Sequence, residues 1–138
     1  MNYKGLESTK KWFEQAIPEP TQDHRSIQLG CHAEEFGEML DSLDLIKQSW
    51  DVDNLATSLK CGQLALCINN KALLDSLADQ IVTAVGVAHM FGMDILGALE
   101  EVNRSNFSKF EDGKPVFDEN GKISKGKYYS KPNLKPYI

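Results

Sequence analysis

KALLDSLADQIVTAVGVAHMF, residues 71–91, sets the fold class of this chain. Apolar residues recur at helical spacing along it, no proline interrupts it, and Gly92 follows where a helix would stop. At about 100° per residue, apolar side chains appear at nearly every angle, and a helix apolar all round is normally buried. Two carboxylates stand in it. Asp75 and Asp79 are four residues apart, hence about 40° from each other on one face. An ionised carboxylate two turns into a buried helix, as Asp79 would be, is costly unless a cation or strong donors compensate it. The competing reading is a structural aspartate satisfied by a helix N-terminus or an arginine.

The same spacing recurs on both sides of this segment. Asp94 has the position of an N-cap for ILGALEEVNRSNF. Upstream, Asp51 or Asp53 can cap a helix through Leu55, Leu59, Leu64 and Ile68, ending near Asn69-Asn70. A longer helix is predicted from Asp23 to Ser49, with Leu29, Ala33, Phe36, Leu40, Leu43 and Ile46 as its apolar positions. Ser8 or Thr9 would cap a short first helix through Trp12, Phe13 and Ala16, which Pro18 and Pro20 terminate. Beyond Lys109 the pattern changes. DGKPVFDENGKIS reads as a β-hairpin, Val116-Phe117 facing Lys122-Ile123 around the turn pair Asn120-Gly121. KGKYYSKPNLKPYI has two prolines and no periodicity, so an extended course over another surface is expected. The fold class is therefore all-α: a four- to five-helix bundle over residues 1–110, with a basic, non-helical arm over 111–138 packing on the same domain.

Composition agrees with one soluble domain. The 138 residues suffice for a real core, and 41% apolar with 25% charged residues is ordinary. The net charge of −5 argues against a general nucleic-acid binder. It also hides an asymmetry: residues 1–108 hold 8 Lys/Arg against 16 Asp/Glu, whereas 109–138 hold 7 Lys against 4 acids. Cys31, Cys61 and Cys67 are odd in number and lack CxxC spacing, as expected of thiols in a reducing compartment. MNYKGLESTKKW is charged where a signal peptide is apolar, and the run Ile81–Phe91 is too short to span a bilayer. A cytoplasmic location, without membrane or nucleic-acid partners, is the expectation.

CHAEEFGEML, residues 31–40, carries a second acidic cluster. Glu34, Glu35 and Glu38 fall within an arc of about 100° on their helix, roughly opposite Phe36, Met39, Leu40 and Leu43. Alone, such a cluster is usually a solvated face, since exposed like charges at i,i+4 cost only a few tenths of a kcal/mol. Paired with Asp75 and Asp79 across a bundle, it would form an all-oxygen site suited to Mg²⁺ or Mn²⁺. Five carboxylates exceed what one such ion needs. EVNRSNFSKF, residues 101–110, then supplies Arg104 and Lys109 beside Asn103, Ser105, Asn106 and Ser108. Helix C-capping accounts for the two cations on its own. Together with the carboxylates, however, these are the groups that nucleotide hydrolysis requires.

EExxE (Glu34, Glu35, Glu38), DSLAD (Asp75, Asp79) followed by QIVTAVGVAHMFGMD, EVNRSNFSK and the tail DGKPVFDENGKISKGKYY resemble the all-α nucleoside triphosphate pyrophosphohydrolases. That superfamily comprises MazG-type enzymes, dimeric dUTPases and phosphoribosyl-ATP pyrophosphohydrolase, and the resemblance spans residues 10–134. It implies Mg²⁺-dependent cleavage between the α and β phosphates, giving a nucleoside monophosphate and pyrophosphate. It also implies metal ligation by Glu34, Glu35, Glu38, Asp75 and Asp79, with Glu35 and Glu38 catalytic and Glu35 orienting the attacking water. Asn103, Arg104, Asn106, Lys109 and Lys125 would contact the nucleotide or its phosphates. One departure stands out: the family pattern has a Glu three residues before the final Asp, and this chain has Ser76 there. Asp75 is the substitute. A homodimer or homotetramer follows from the same resemblance and from the small size of the bundle. Trp12, Phe13 and Tyr128 read as core aromatics before base-stacking groups, Lys114, Lys122 and Lys127 as surface lysines, and His32 and His89 as structural. Phosphoribosyl-ATP hydrolysis and a non-catalytic helical interaction module are the alternative functions.

Overall fold

The computed structural model describes residues 4–138; the start of the charged N-terminal stretch, residues 1–3, lies outside them. The chain is all-α. Its helices are α1 (Gly5–Ala16), α2 (Gln22–Ser42), α3 (Ile46–Lys60), α4 (Asn70–Met90) and α5 (Ile95–Phe107), followed by a 3₁₀ turn at Lys135–Tyr137. They fall into two compact units: Glu19–Cys67 carries α2 and α3, while the chain up to Pro18 joins Ile68–Ile138 and carries α1, α4, α5 and the arm. Among the described residues no single helix is long and apolar enough to cross a membrane.

The α2/α3 unit is a helical hairpin. Thr21 caps α2 by accepting from the His24 amide, and His24 Nδ1 accepts from the Thr21 amide in return. The helix expected from Asp23 to Ser49 stops at Ser42, and its last residues, from Ile46 on, belong to α3. Asp44 adopts φ 60°, and the Leu45 and Asp44 amides donate to the Leu40 and Asp41 carbonyls, closing α2 in a left-handed C-terminal turn. The chain re-enters helix at Ile46, so Asp51 and Asp53 lie inside α3 rather than capping it. Gly62, at φ 65°, ends α3 with the same pattern, and residues 63–69 are not helical.

Two glycines let these helices approach closely. Gly30 and Gly37 are both buried, seven residues apart and hence on one face of α2. A Cβ on Gly30 would lie 2.7 Å from the Ala56 carbonyl oxygen and would also run into the Lys60 stem. One on Gly37 would lie 2.7 Å from Asp53 Oδ1. Ala56 and Ser49, buried on α3, are small enough to share that seam.

The second unit is built around α1 and α5. Trp12 stacks on Phe110 at 5.5 Å between ring centroids, and Phe107 meets Phe110 edge-on at 6.0 Å. Ala16, Ile17 and Ile123 complete this core. Thr9 is not the expected cap, because α1 starts at Gly5. Its hydroxyl instead donates to Asn103 Oδ1 at 2.8 Å, while Asn103 Nδ2 donates to the Gly5 carbonyl at 2.9 Å, tying α1 to α5. Ile17 leaves helical geometry ahead of Pro18, as the residue before proline tends to.

The arm is a strap laid back along α5. The Gly126 amide donates to the Lys109 carbonyl, the Ser130 amide to Ser108 Oγ, the Asn133 amide to Glu101 Oε1, and the Asp94 amide to the Tyr137 carbonyl. Each step toward the C-terminus thus reaches further back toward the start of α5. Gly126 sits where a Cβ would lie 2.5 Å from the Lys109 carbonyl oxygen. The expected hairpin is reduced to isolated antiparallel bridges, Glu111 with Lys114 and Phe117 with Ile123. Asp118 explains part of this. Its Oδ1 accepts from the Asn120 and Lys122 amides, so the side chain takes up backbone donors inside the turn.

α4 departs most from expectation. Asn69 caps it by accepting from the Ala72 amide, and Gly92, at φ 74°, ends it. Many of its apolar side chains, however, are exposed: Leu74 is 70% exposed, Val82 67% and Met90 81%, and Ala88 is its buried residue. Asp75 and Asp79 are exposed as well. The burial inferred for Asp79 is therefore not observed. An all-round apolar surface requires cover, but its own chain need not provide it.

Candidate functional site

The acidic cluster of α2 occupies one turn. Glu35 and Glu38 are exposed, and Glu34, the member nearest the face that holds Gly30 and Gly37, is partly shielded. Lys60, the last residue of α3, pairs with Glu34 Oε2. Burial pulls the Lys60 pKa down, but the Glu34 hydrogen bond and the charges of Cys31, Glu34 and Asp53 outweigh it, so the pKa is raised. Asp53 enters the same seam above Gly37. Sequence reasoning does not single out Lys60, and it marks Asp53 only as a candidate helix cap. The available signal was the Gly30/Gly37 spacing, which marks the face where α3 comes close.

Asp75 and Asp79 lie one turn apart on the exposed surface of α4, in the other unit. Among the described residues no three His, Cys, Asp or Glu side chains gather into a group able to hold a metal ion. The donor chemistry nonetheless fits a hard divalent cation. Each helix by itself offers only carboxylate oxygens, Glu34, Glu35 and Glu38 on α2 and Asp75 and Asp79 on α4, and a cation, the Lys60 ammonium, already rests on Glu34.

The end of α5 and the strap bring several of the other candidates together. Lys109 lies with its ammonium 5.9 Å from the Trp12 ring centroid, and its carbonyl receives Gly126, flanked by Lys125 and Lys127. Those two lysines sit over Tyr129 and Tyr128, at 5.0 and 5.1 Å. Asn106 is half-buried on the last turn of α5. Asn103 is 3% exposed and its amide is engaged by Thr9 and Gly5, so here it fastens α5 to α1. Trp12 is core, Phe13 borders solvent, and Tyr128 is exposed.

Arg104 is held by Glu101. Its Nε and Nη2 both donate to that carboxylate at 2.8 Å, and Nη2 also donates to the Lys131 carbonyl at 3.2 Å. The Arg104 pair, then the Asn133 amide, draw the Glu101 pKa from 4.5 down to about 2. The same pairing raises that of Arg104. Since the folded-state pKa is depressed, what Glu101 contributes to strap docking is fully present above 4.5 and is lost as pH falls toward 2. Hydrogen exchange should therefore show the Asn133 amide losing protection across that window. In Glu101→Gln the protection should be weaker and independent of pH there; an unchanged Asn133 profile would exclude this anchor.

Compared with protein-family models, curated proteins and solved structures, the chain finds no match.

Proposed function

We propose that this chain is a Mg²⁺-dependent pyrophosphohydrolase of nucleoside triphosphates on a MazG-type all-α fold, yielding a nucleoside monophosphate and pyrophosphate. The reading rests chiefly on one observation: each carboxylate group lies on one stretch of its own helix, Glu34, Glu35 and Glu38 on α2 and Asp75 and Asp79 on α4, with Glu35, Glu38, Asp75 and Asp79 open to solvent. A divalent ion, when bound, supplies positive charge against the polyphosphate. The chain's own part is positioning and electrostatics. Glu34, Glu35 and Glu38 on α2 offer oxygens to divalent ions, as do Asp75 and Asp79 on α4, with Glu35 and Glu38 catalytic and Glu35 orienting the attacking water. Lys109 and Lys125, drawn together by the strap, offset charge on the phosphates, and Asn106 offers an amide to the nucleotide. Nucleotide-pool control in the cytoplasm is the corresponding role.

The uncovered surface of α4 supports a homodimer or homotetramer in which a second copy covers it. That surface also favours the second reading, a helical interaction module without activity. Pyrophosphate release measured over canonical and modified nucleoside triphosphates and phosphoribosyl-ATP, with and without Mg²⁺, separates these functions. A small set of substrates should be cleaved only with the metal. No Mg²⁺-dependent release, together with no Mg²⁺-dependent nucleotide binding by calorimetry, would leave the interaction module.

A further inference from the structure

We propose that the Lys60 ammonium is the resident counter-ion of Glu34, and that a divalent ion entering the α2 carboxylates must displace it. The inference rests on the metal-site reading above and adds a competitor to it.

The contact is prepared by the backbone. Lys60 closes α3, and its stem lies across Gly30, in space that any β-carbon there would fill. Glu34 is one turn further along the same face, within reach of the ammonium. The two side chains are 26% and 33% exposed, against 77% and 44% for the surface pair Lys10–Glu14. The Lys60 pair is thus less screened by solvent than an ordinary surface pair. Asp53 on the same seam adds negative charge that favours the charged lysine.

A carboxylate holding the ammonium is not available unchanged to Mg²⁺, which demands close, near-octahedral oxygen ligands. The ammonium and the divalent ion also repel each other. Binding is therefore an exchange of one cation for another, and Lys60 raises the metal concentration at which it occurs. In the metal-free protein, the same lysine relieves the crowding of Glu34, Glu35 and Glu38.

Calorimetric titration of Mg²⁺ and Mn²⁺ into the wild type, Lys60→Met, Lys60→Gln and Lys60→Arg tests this. Lys47→Met, at an exposed lysine of the same helix, controls for net charge. Methionine keeps the stem across Gly30, and glutamine is the second variant should methionine perturb the fold. The Met and Gln variants should bind the ion about fivefold tighter, in line with a partly exposed ion pair, and Arg should bind it no tighter. Their metal-free melting temperature should fall, and the rise on adding Mg²⁺ should exceed that of the wild type. If the wild type binds the ion and the Met and Gln variants bind it no tighter, or if Lys47→Met tightens binding equally, Lys60 is not the competitor and the metal reading stands. If neither the wild type nor any variant binds a divalent ion, the metal reading falls, and the competition with it.

Discussion

Pyrophosphate release should fall on the order of a hundredfold or more in Glu35→Gln and in Asp79→Asn, the scale seen when one preorganised electrostatic group is removed from a reacting site. Each substitution keeps the side chain's size, turns one acceptor oxygen into an amide donor and removes one negative charge. Both positions are exposed, so stability should change by no more than about 0.5 kcal/mol. Loss of turnover with an unchanged melt is the combination that assigns a chemical role. The two variants probe different helices, α2 and α4, so equal losses would tie both to one reaction. Near-wild-type release by either variant, with a substrate the wild type cleaves well, would remove that residue from the site.

Trp12→Ala should cost about 3–5 kcal/mol, the usual cost of truncating a large buried aromatic. Trp12 is 7% exposed and stacks on Phe110, so alanine would open a cavity where α1, the end of α5 and the strap meet. Trp12→Phe is the informative partner. It keeps a ring against Phe110 and removes an indole N–H that is buried without a hydrogen-bond partner. Its cost should stay below about 1.5 kcal/mol. Denaturant unfolding followed by circular dichroism gives both values. A Trp12→Ala protein that unfolds with the wild-type midpoint would mean that the aromatic cluster does not hold this unit together.

The parts of this fold that were legible in sequence carry local chemical signals. α4 and α5 appear with their expected boundaries because Asn69 and Asp94 supply capping oxygens and Gly92 supplies a left-handed stop. The α2–α3 break was hidden because Asp44, not glycine, takes the left-handed position, while the helical spacing of Leu40, Leu43 and Ile46 runs on through it. Thr9 looked like a cap because threonine often is one; its partner, Asn103, is 94 residues away. The acidic clusters were legible as helical spacings of like residues. Lys60 was not, since its meeting with Glu34 depends on where α2 turns back into α3, and periodicity placed that break after Ser49 when it falls between Ser42 and Ile46. The burial assigned to α4 failed for another reason: hydropathy shows that a face needs cover but not which molecule supplies it.

The strap has a consequence for the order in which the chain assembles. Contacts within α2 and α3 join residues close in sequence, such as Lys60 and Glu34, 26 positions apart. The other unit joins Gln15 to Gly113 and Gly5 to Asn103, each 98 positions apart, and then needs Gly126, Ser130 and Asn133 to close along α5. Loops of that length close slowly, and their cost comes before any contact repays it. During synthesis the α2/α3 hairpin can therefore form while Trp12 still lacks Phe110. The aromatic face of α1 must wait for residues made nearly a hundred codons later, and in that interval it is apolar surface open to misassociation.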